Sequence, residues 1–217
     1  MSSGTLSEQM LEENAAVFRD MVNHRFVEDI KEDQLNAHVF DRYLVYEGAF
    51  VDTAISICAY GVAKAETVGQ KRWLIAVLDA LANKQIAYFE RTLAVRGIDP
   101  SSYDLRLPDV EAFRIGMLDV ARQGTFLDIL TAMFAAEWMY WTWSKEIAVR
   151  AIGDPLLKEW VDIHADQDFG AQAQWLKSQL DEAGAALRAS ERARLSNIFG
   201  RVQQLEIAFH HAAYEGT

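Results

Sequence analysis

The sequence has little cysteine and proline, and it has fewer positive than negative charges. One cysteine, Cys58, occurs among 217 residues, which excludes an internal disulfide and is consistent with a reducing compartment. The 32 acidic and 21 basic residues give a net charge of −11, which disfavours binding of nucleic acid by the bulk surface. No run of about 18–20 apolar residues predicts a membrane span, and the N-terminus lacks the apolar core of a secretory signal. We therefore expect a cytoplasmic protein.

The scarcity of proline and of hairpin turns favours helices. The three prolines lie where a helix begins or a loop runs, and no Asn-Gly dipeptide separates alternating apolar runs. Apolar residues recur at spacings of three and four, which predicts an all-α protein. No linker rich in proline, glycine or serine divides the chain, so we expect one domain over residues 1–217. The predicted helices cover residues 5–24, 26–31, 36–64, 66–97, 108–122, 125–151, 155–184 and 188–214.

Five residues are expected to mark the ends of these helices. Asp33, Asp154 and Ser190 have side chains that can accept a hydrogen bond from the first turn of a helix. Gly97 and Gly124 are predicted to end helices, since glycine tolerates the backbone conformation that follows a last turn.

Three glutamates interrupt stripes that are otherwise apolar. Glu47 shares a helix face with aromatic residues, and Glu206 shares one with Phe209. Each of these two can also lie at the solvated edge of its stripe, and Glu206 can pair with an arginine. Glu137 lies in the aromatic run FAAEWMYWTW, three residues before Tyr140, so both side chains can face one cavity. A carboxylate inside such a stripe must be paired, because an isolated buried charge is unfavourable.

Two acid–histidine pairs have the spacing of ligands on one helix face. His164 and Asp168 are four residues apart, as are Glu206 and His210. The same spacing is frequent on solvated surfaces, so the pairs alone do not predict a metal site. Motifs for a phosphate-binding loop, a zinc protease or a serine hydrolase are missing from the sequence.

Four stretches, taken in order, resemble the TenA/thiaminase II family. HRFVEDIKEDQLNAHVFDRYLVYEGAFV is similar to the family's opening segment. AFRIGMLDVARQGTFLDILTAMFAAEWMYWTW resembles the helix that ends in Pro-Cys-x-Trp-x-Tyr. LLKEWVDIHADQDFG resembles the segment with a pocket tyrosine, and VQQLEIAFHHAAY resembles the terminal helix. The resemblance implies a heme-oxygenase-like helical bundle with a central pocket, and a homodimer or homotetramer.

The resemblance also implies the site residues. The family's pyrimidine-binding aspartate falls on Glu47 and the catalytic glutamate on Glu206, while Ala136 replaces the nucleophilic cysteine. Glu137, beside Ala136, is either a substitute acid or a structural residue. The remaining pocket positions fall on aromatic or imidazole side chains, two of which replace tyrosines: Phe50, Phe113, Tyr140, His164 and His210.

Three functions are compatible with these residues. The first is a hydrolase of thiamin-related aminopyrimidines that uses neither cofactor nor metal, with Glu206 as general acid and base, its pKa raised by burial. Glu47 would bind the ring nitrogen and amino group, Tyr140 would orient this flat heteroaromatic ligand, and aromatic side chains would stack on it. The second is a di-iron oxidase with ligands from Glu137, His164, Asp168, Glu206 and His210. The third is a non-catalytic pyrimidine-binding or regulatory protein.

Overall fold

The computed structural model describes residues 4–215, which form helices, turns and loops without a strand, as predicted. None of the helices in that range is long and apolar enough to cross a bilayer. The α-helices, numbered in chain order, are α1 (Leu6–Glu13), α2 (Ala15–Val22), α3 (Arg25–Lys31), α4 (Ala37–Lys64), α5 (Val68–Asp79), α6 (Ile86–Arg96), α7 (Pro108–Gln123), α8 (Phe126–Ile147), α9 (Pro155–Ala165), α10 (Gln167–Gly184) and α11 (Ala189–Glu215).

Three predicted helices are interrupted in the structure. The first breaks at Asn14, between α1 and α2. A π-helical segment, Ala80–Gln85, separates α5 from α6. The predicted helix over 155–184 breaks at Asp166, whose side chain accepts a hydrogen bond from the backbone N–H of Phe169 at 2.7 Å and so caps α10. In addition, α8 ends at Ile147, four residues before the predicted end.

Three of the five predicted helix-end markers are confirmed. Asp154 caps α9, and Gly97 and Gly124 end α6 and α7. The prediction that Asp33 caps a helix is wrong. Its carboxylate accepts a hydrogen bond from the backbone N–H of Gly153 in a distant loop, and Asn36 caps α4 instead. The prediction that Ser190 caps a helix is also wrong, because α11 begins at Ala189 and Ser190 lies inside it.

Contacts divide the described chain into two compact units, each built from two chain segments. The first comprises residues 4–35 and 130–207, and the second comprises residues 36–129 and 208–215. In the first unit, α10 packs against α1 and α9. In the second, α4 packs against α5, α6 and α7. The expectation of a single domain stays a prediction.

Buried aromatic side chains dominate the core of both units. In the first unit Phe26, Trp143 and Trp160 are almost fully buried, and the rings of the two tryptophans stack with centroids 5.5 Å apart. In the second unit, Phe40 and Tyr43 are buried on the predicted apolar face of α4. These rings exclude water from the interior, so a polar group placed among them is desolvated.

A lysine side chain from α4 caps the C-terminal end of α7. Lys64 Nζ, from the last turn of α4, donates hydrogen bonds to the carbonyl oxygens of Ala121, Arg122 and Gly124 at 2.7, 3.0 and 2.6 Å. The last carbonyls of a helix have no partner within the helix, so the ammonium group satisfies oxygens that would otherwise need water.

The substitution Lys64→Met should therefore lower the free energy of unfolding by about 1–3 kcal/mol, because it keeps the aliphatic stem and removes all three donors. Urea denaturation followed by circular dichroism measures the change. Lys84→Met, at an exposed position in the π-helical segment, is the control and should leave the midpoint unchanged. Equal midpoints for Lys64→Met and wild type would contradict this account of the α7 end.

Candidate active site

Helix α8 carries three of the predicted site residues. Ala135 is buried, while Ala136 and Glu137 are partly buried and follow it directly. Tyr140 lies one turn later and is 6% exposed. The side chain at the position where the resemblance places a nucleophile is therefore a methyl group, and the neighbouring polar group is the carboxyl of Glu137.

Glu137 is a desolvated carboxylic acid. Its Oε2 is buried and receives no hydrogen bond from residues 4–215, while the side-chain amide of Gln172 donates to the carboxyl group. Burial raises the pKa of Glu137 to about 8, because it disfavours the charged form, and the hydrogen bond from Gln172 offsets this only in part. Near neutral pH the group therefore carries its proton most of the time.

A glycine brings α10 close to α8. A β-carbon at Gly170 would lie 2.7 Å from Nε1 of Trp141, so a larger side chain there would displace the indole ring of Trp141. Gln172 follows on the same helix two residues later and reaches Glu137. The sequence did not predict Gln172 as a partner of Glu137. Its one indication in the sequence is Gly170, a glycine within a helical pattern.

The ring of His164 contacts that of Tyr140. Their ring centroids are 5.1 Å apart, and Nδ1 of His164 is 2.8 Å from the carbonyl oxygen of Trp160. Burial lowers the pKa of His164 to about 4, and this effect outweighs the opposing influence of the Trp160 carbonyl and of Asp166. The imidazole is therefore neutral at physiological pH.

Glu206 is 1% exposed in the first unit, so the alternative of a solvated stripe edge is wrong for this residue. One turn earlier on α11, the buried Gln203 donates a hydrogen bond from Nε2 to the carbonyl oxygen of Ala135 at 2.6 Å. This bond fixes α11 against α8 immediately before Ala136. Sequence reasoning missed Gln203, because a glutamine in a helix ordinarily lies on the surface.

The second unit contains Glu47 with an aromatic cluster. Phe113 lies between Phe50 and Phe209, with ring centroids 4.6 and 4.8 Å away. Glu47 keeps some exposed surface, but desolvation of its carboxyl group raises the pKa to about 7. The alternative of a solvated edge is therefore only partly correct for Glu47. His210 is fully buried, and its ring lies 5.4 Å from that of Tyr43.

A cavity of about 330 Å³ borders this cluster within the second unit. Its volume lies in the range of small-molecule pockets, and Phe50 contributes to its wall. The ligand-binding role of Phe50 stays a prediction. The central pocket that the resemblance implies stays a prediction. The cavity is lined by Tyr46, Ala49, Phe50, Leu105, Arg106, Val110, Glu111, Arg114 and Phe209.

The residues proposed as iron ligands do not form a cluster. Within residues 4–215, no three histidine, cysteine or acidic side chains are placed to hold a metal ion. His164 and Asp168 do not share a helix face, because α9 ends at Ala165, and Asp168 is exposed on α10. Glu206 and His210 lie on one helix, α11, as predicted, and both are buried, which their spacing did not predict.

Comparison with known proteins identifies the fold. An aminopyrimidine aminohydrolase of Halalkalibacterium halodurans is 27% identical over a match of 206 residues. The match covers 88% of this chain and 88% of that protein. A TenA homologue from Pyrococcus furiosus is similar with a TM-score of 0.88 at 23% identity, with 96% of this chain and 100% of that chain covered. A domain with a heme-oxygenase-like fold from Shewanella denitrificans has a TM-score of 0.72 at 12% identity, over 99% of this chain and 94% of that chain. The predicted heme-oxygenase-like fold is thereby confirmed.

A family model agrees with these similarities over nearly the whole length. The model of the TENA/THI-4/PQQC family matches residues 13–216. The resemblance seen in the sequence depends on the order of the four motif stretches and not on any one stretch alone. The chain belongs to the TENA/THI-4/PQQC family.

Proposed function

We propose that the protein is a cofactor-free hydrolase of thiamin-related aminopyrimidines that works without a cysteine nucleophile. The observation that supports this proposal is that two acids with desolvated or buried side chains, Glu137 and Glu206, lie on the two helices that meet at Ala135. Glu137 follows Ala136 directly, and Glu206 lies one turn after Gln203, whose amide is bonded to the backbone of α8 just before Ala136. Membership of the family and the name of the relative from Halalkalibacterium halodurans support the substrate class.

A covalent route through this position is not available. Ala136 has no nucleophilic atom, and the single cysteine, Cys58, lies on α4 and not on α8. Water must therefore attack the carbon that bears the departing amino group. The new C–O bond replaces the C–N bond, the water loses one proton, and the amine leaves as ammonia after gaining one.

The two acids can perform these proton transfers. Glu206 is the proposed general base for water and the acid that returns the proton to the leaving nitrogen. Glu137, protonated near neutral pH, can donate a hydrogen bond or a proton to the same ligand. In the second unit, taken by itself, Glu47 is the proposed partner of a ring nitrogen with its neighbouring amino group, which it would bind through two parallel hydrogen bonds. Phe50 and Phe113 of the same unit offer apolar surface to an aromatic ring.

A non-catalytic pyrimidine-binding protein is the second candidate. The loss of the nucleophile at Ala136 favours it, since a binder keeps the aromatic walls and needs no reactive group. The di-iron oxidase has no comparable support in the described residues.

We also propose that the protein is a cytoplasmic homodimer or homotetramer. Exposed apolar side chains on two helices of the second unit support self-association: Val68 and Ile75 on α5, and Ile115 on α7. The buried, reduced Cys58 is in keeping with the cytoplasm.

Replacement of the acids should separate binding from turnover. Glu206→Gln keeps shape and removes the proton carrier, so turnover should fall about a hundredfold or more while binding survives. Glu47→Ala removes a partner of the ligand, so binding should weaken by roughly 1–3 kcal/mol. Calorimetry with an aminopyrimidine and single-turnover assays measure the two effects.

Hydrolysis by Glu206→Gln at the wild-type rate would exclude Glu206 as acid and base. Tight binding by wild type without any turnover would favour the non-catalytic candidate. If no thiamin-related pyrimidine binds, the proposed function is wrong.

The pKa of Glu137 should make stability depend on pH. The pKa of Glu137 in the folded protein, about 8, is above the ordinary value of 4.5. The contribution of this side chain to the free energy of unfolding is therefore fully present below about pH 4.5, and it is lost as the pH rises toward 8. Urea denaturation from about pH 5 to 8 should show a falling free energy of unfolding, with a slope of up to about 1.4 kcal/mol per pH unit from this group.

Glu137→Gln should remove this part of the slope. Glu66→Gln, at an exposed position before α5, is the control and should keep the wild-type slope. A Glu137→Gln variant with the same slope as wild type would show that the carboxyl is not desolvated in solution.

Light scattering tests the oligomer. Wild type should have the mass of a dimer or a tetramer at micromolar concentration, and Ile75→Asp should lower that mass, because a charge opposes burial of the α5 surface. Val149→Asp, in an exposed turn of the first unit, is the control. A monomeric wild type would refute the proposed assembly.

A further inference from the structure

The cavity beside the aromatic cluster of the second unit has an apolar wall made largely of rings. Tyr46 and Phe209 are 2% and 1% exposed, and their ring centroids lie 6.4 Å apart at an interplanar angle of 66°. Phe50, which is partly exposed, and the buried Val110 extend this wall. Aromatic rings pack well against other flat rings, so the wall suits a ligand with an aromatic ring.

The same cavity opens to solvent. Ala49 on α4 belongs to the lining and is exposed, and Leu105, in the loop before α7, is 38% exposed. The volume of about 330 Å³ is sufficient for one ring with a substituent, since a cavity of about 150 Å³ already accommodates benzene. A small aromatic molecule therefore has both access and room.

Two guanidinium groups line the cavity and keep donors for a further acceptor. Nε and Nη2 of Arg114 donate to the two carboxylate oxygens of Glu111, which uses two of the five N–H groups of this arginine. Nε of Arg106 lies 3.7 Å from Oδ1 of Asp104, beyond hydrogen-bond distance, and its side chain is 92% exposed. Asp104 also accepts a hydrogen bond from the backbone N–H of Arg106 at 2.9 Å, which holds the loop at the edge of the cavity.

The charge of the cavity lining is opposite in sign to that of the chain. The charged residues of the lining are two arginines and one glutamate, so they give +1, whereas the whole chain has a net charge of −11. A guanidinium group matches the oxygens of a carboxylate or a phosphate, because its N–H groups form a planar fork. Positive charge beside an apolar wall therefore favours a ligand with a negatively charged group.

We propose that this cavity binds a small, flat aromatic molecule that carries a phosphate or a carboxylate. The ring would lie against Tyr46, Phe50 and Phe209, and the anionic group would accept hydrogen bonds from Arg106 and Arg114. This site goes beyond the proposed hydrolase. The three acids assigned to the hydrolase lie outside the lining, and an aminopyrimidine without an acidic group offers no acceptor charge to the two arginines.

Phenyl phosphate and benzoate are the probes, because each joins one ring to one anionic group. Phenol and inorganic phosphate serve as the separate halves. In calorimetry the tighter of the two probes should bind wild type about tenfold or more tightly than either half, since only the whole probe contacts both the rings and the arginines. The tighter probe also identifies the preferred anionic group. Failure of both probes to bind, or binding no tighter than that of phenol, would overturn the proposal.

Charge substitutions at the lining should act in opposite directions. The double variant Arg106→Gln with Arg114→Gln should weaken binding of the tighter probe by about tenfold and leave that of phenol unchanged. Glu111→Gln removes a carboxylate that repels the probe and competes for Arg114, so it should strengthen binding by about threefold. Arg122→Gln, at an exposed position of α7 outside the lining, is the matched control and should leave the affinity unchanged.

A variant that changes shape and not charge locates the probe. Ala49→Trp places a large side chain at the open side of the cavity, so it should abolish binding of the probe and of phenol. Binding to Ala49→Trp with the wild-type affinity would show that the probe lies elsewhere. Unchanged binding to the double arginine variant, or weaker binding to Glu111→Gln, would likewise contradict the proposed site.

A measurement on wild type does not depend on the folding of any variant. In a methyl NMR spectrum the tighter probe should shift the resonances of Leu105 and Val110 and leave that of Val149, in the first unit, in place. Unshifted resonances of Leu105 and Val110 in the presence of bound probe would overturn the proposal. None of these measurements uses turnover of an aminopyrimidine, so this site and the proposed hydrolase can fail separately.

Discussion

The hydrogen bond from Gln203 to the carbonyl oxygen of Ala135 is the contact on which the arrangement of the first unit's acids depends. Both groups are buried, so the bond replaces water at an amide that would otherwise be costly to desolvate. It fixes the rotation of α11 relative to α8, and with it the position of Glu206 one turn further along. An acid that must exchange protons with a ligand needs such a fixed position, because small displacements greatly reduce the efficiency of proton transfer.

Burial among aromatic side chains then determines the charge of each polar group. It raises the pKa of Glu137 and Glu47 and lowers that of His164, so that all three approach or reach their neutral forms near pH 7. In each unit, groups of this kind offer donors and acceptors without strong fixed charges. Such groups suit a neutral heteroaromatic ring, whose recognition depends on the match of donors with acceptors.

The departures from the family pattern form a consistent set. By the resemblance, Ala136 replaces the family's nucleophile, Phe113 lacks the hydroxyl of a tyrosine, and His164 has an imidazole in place of a tyrosine. Each change reduces the number of groups that can donate or attack, and Glu137 adds an acid that is protonated near neutral pH. If the resemblance holds at these positions, the change is away from nucleophilic attack and toward acid–base catalysis or binding alone, as proposed above.

The sequence by itself determined the helices and the family. Periodic apolar residues and local caps such as Asp154 and Gly97 act within one turn, so their effect can be predicted from neighbouring residues. The breaks at Asn14 and Asp166 were missed, because both lie inside continuous periodic patterns, where capping and tertiary packing decide between one helix and two.

Only the tertiary structure decided which predicted residues meet. Tyr140 and His164 contact each other across two helices, whereas Asp168, four residues from His164, is exposed on the next one. Gln172 and Gln203 gain their importance from partners far away in the chain. Desolvation depends on all the atoms packed around a group, and the spacing of residues along one helix contains no information about the atoms that other helices supply.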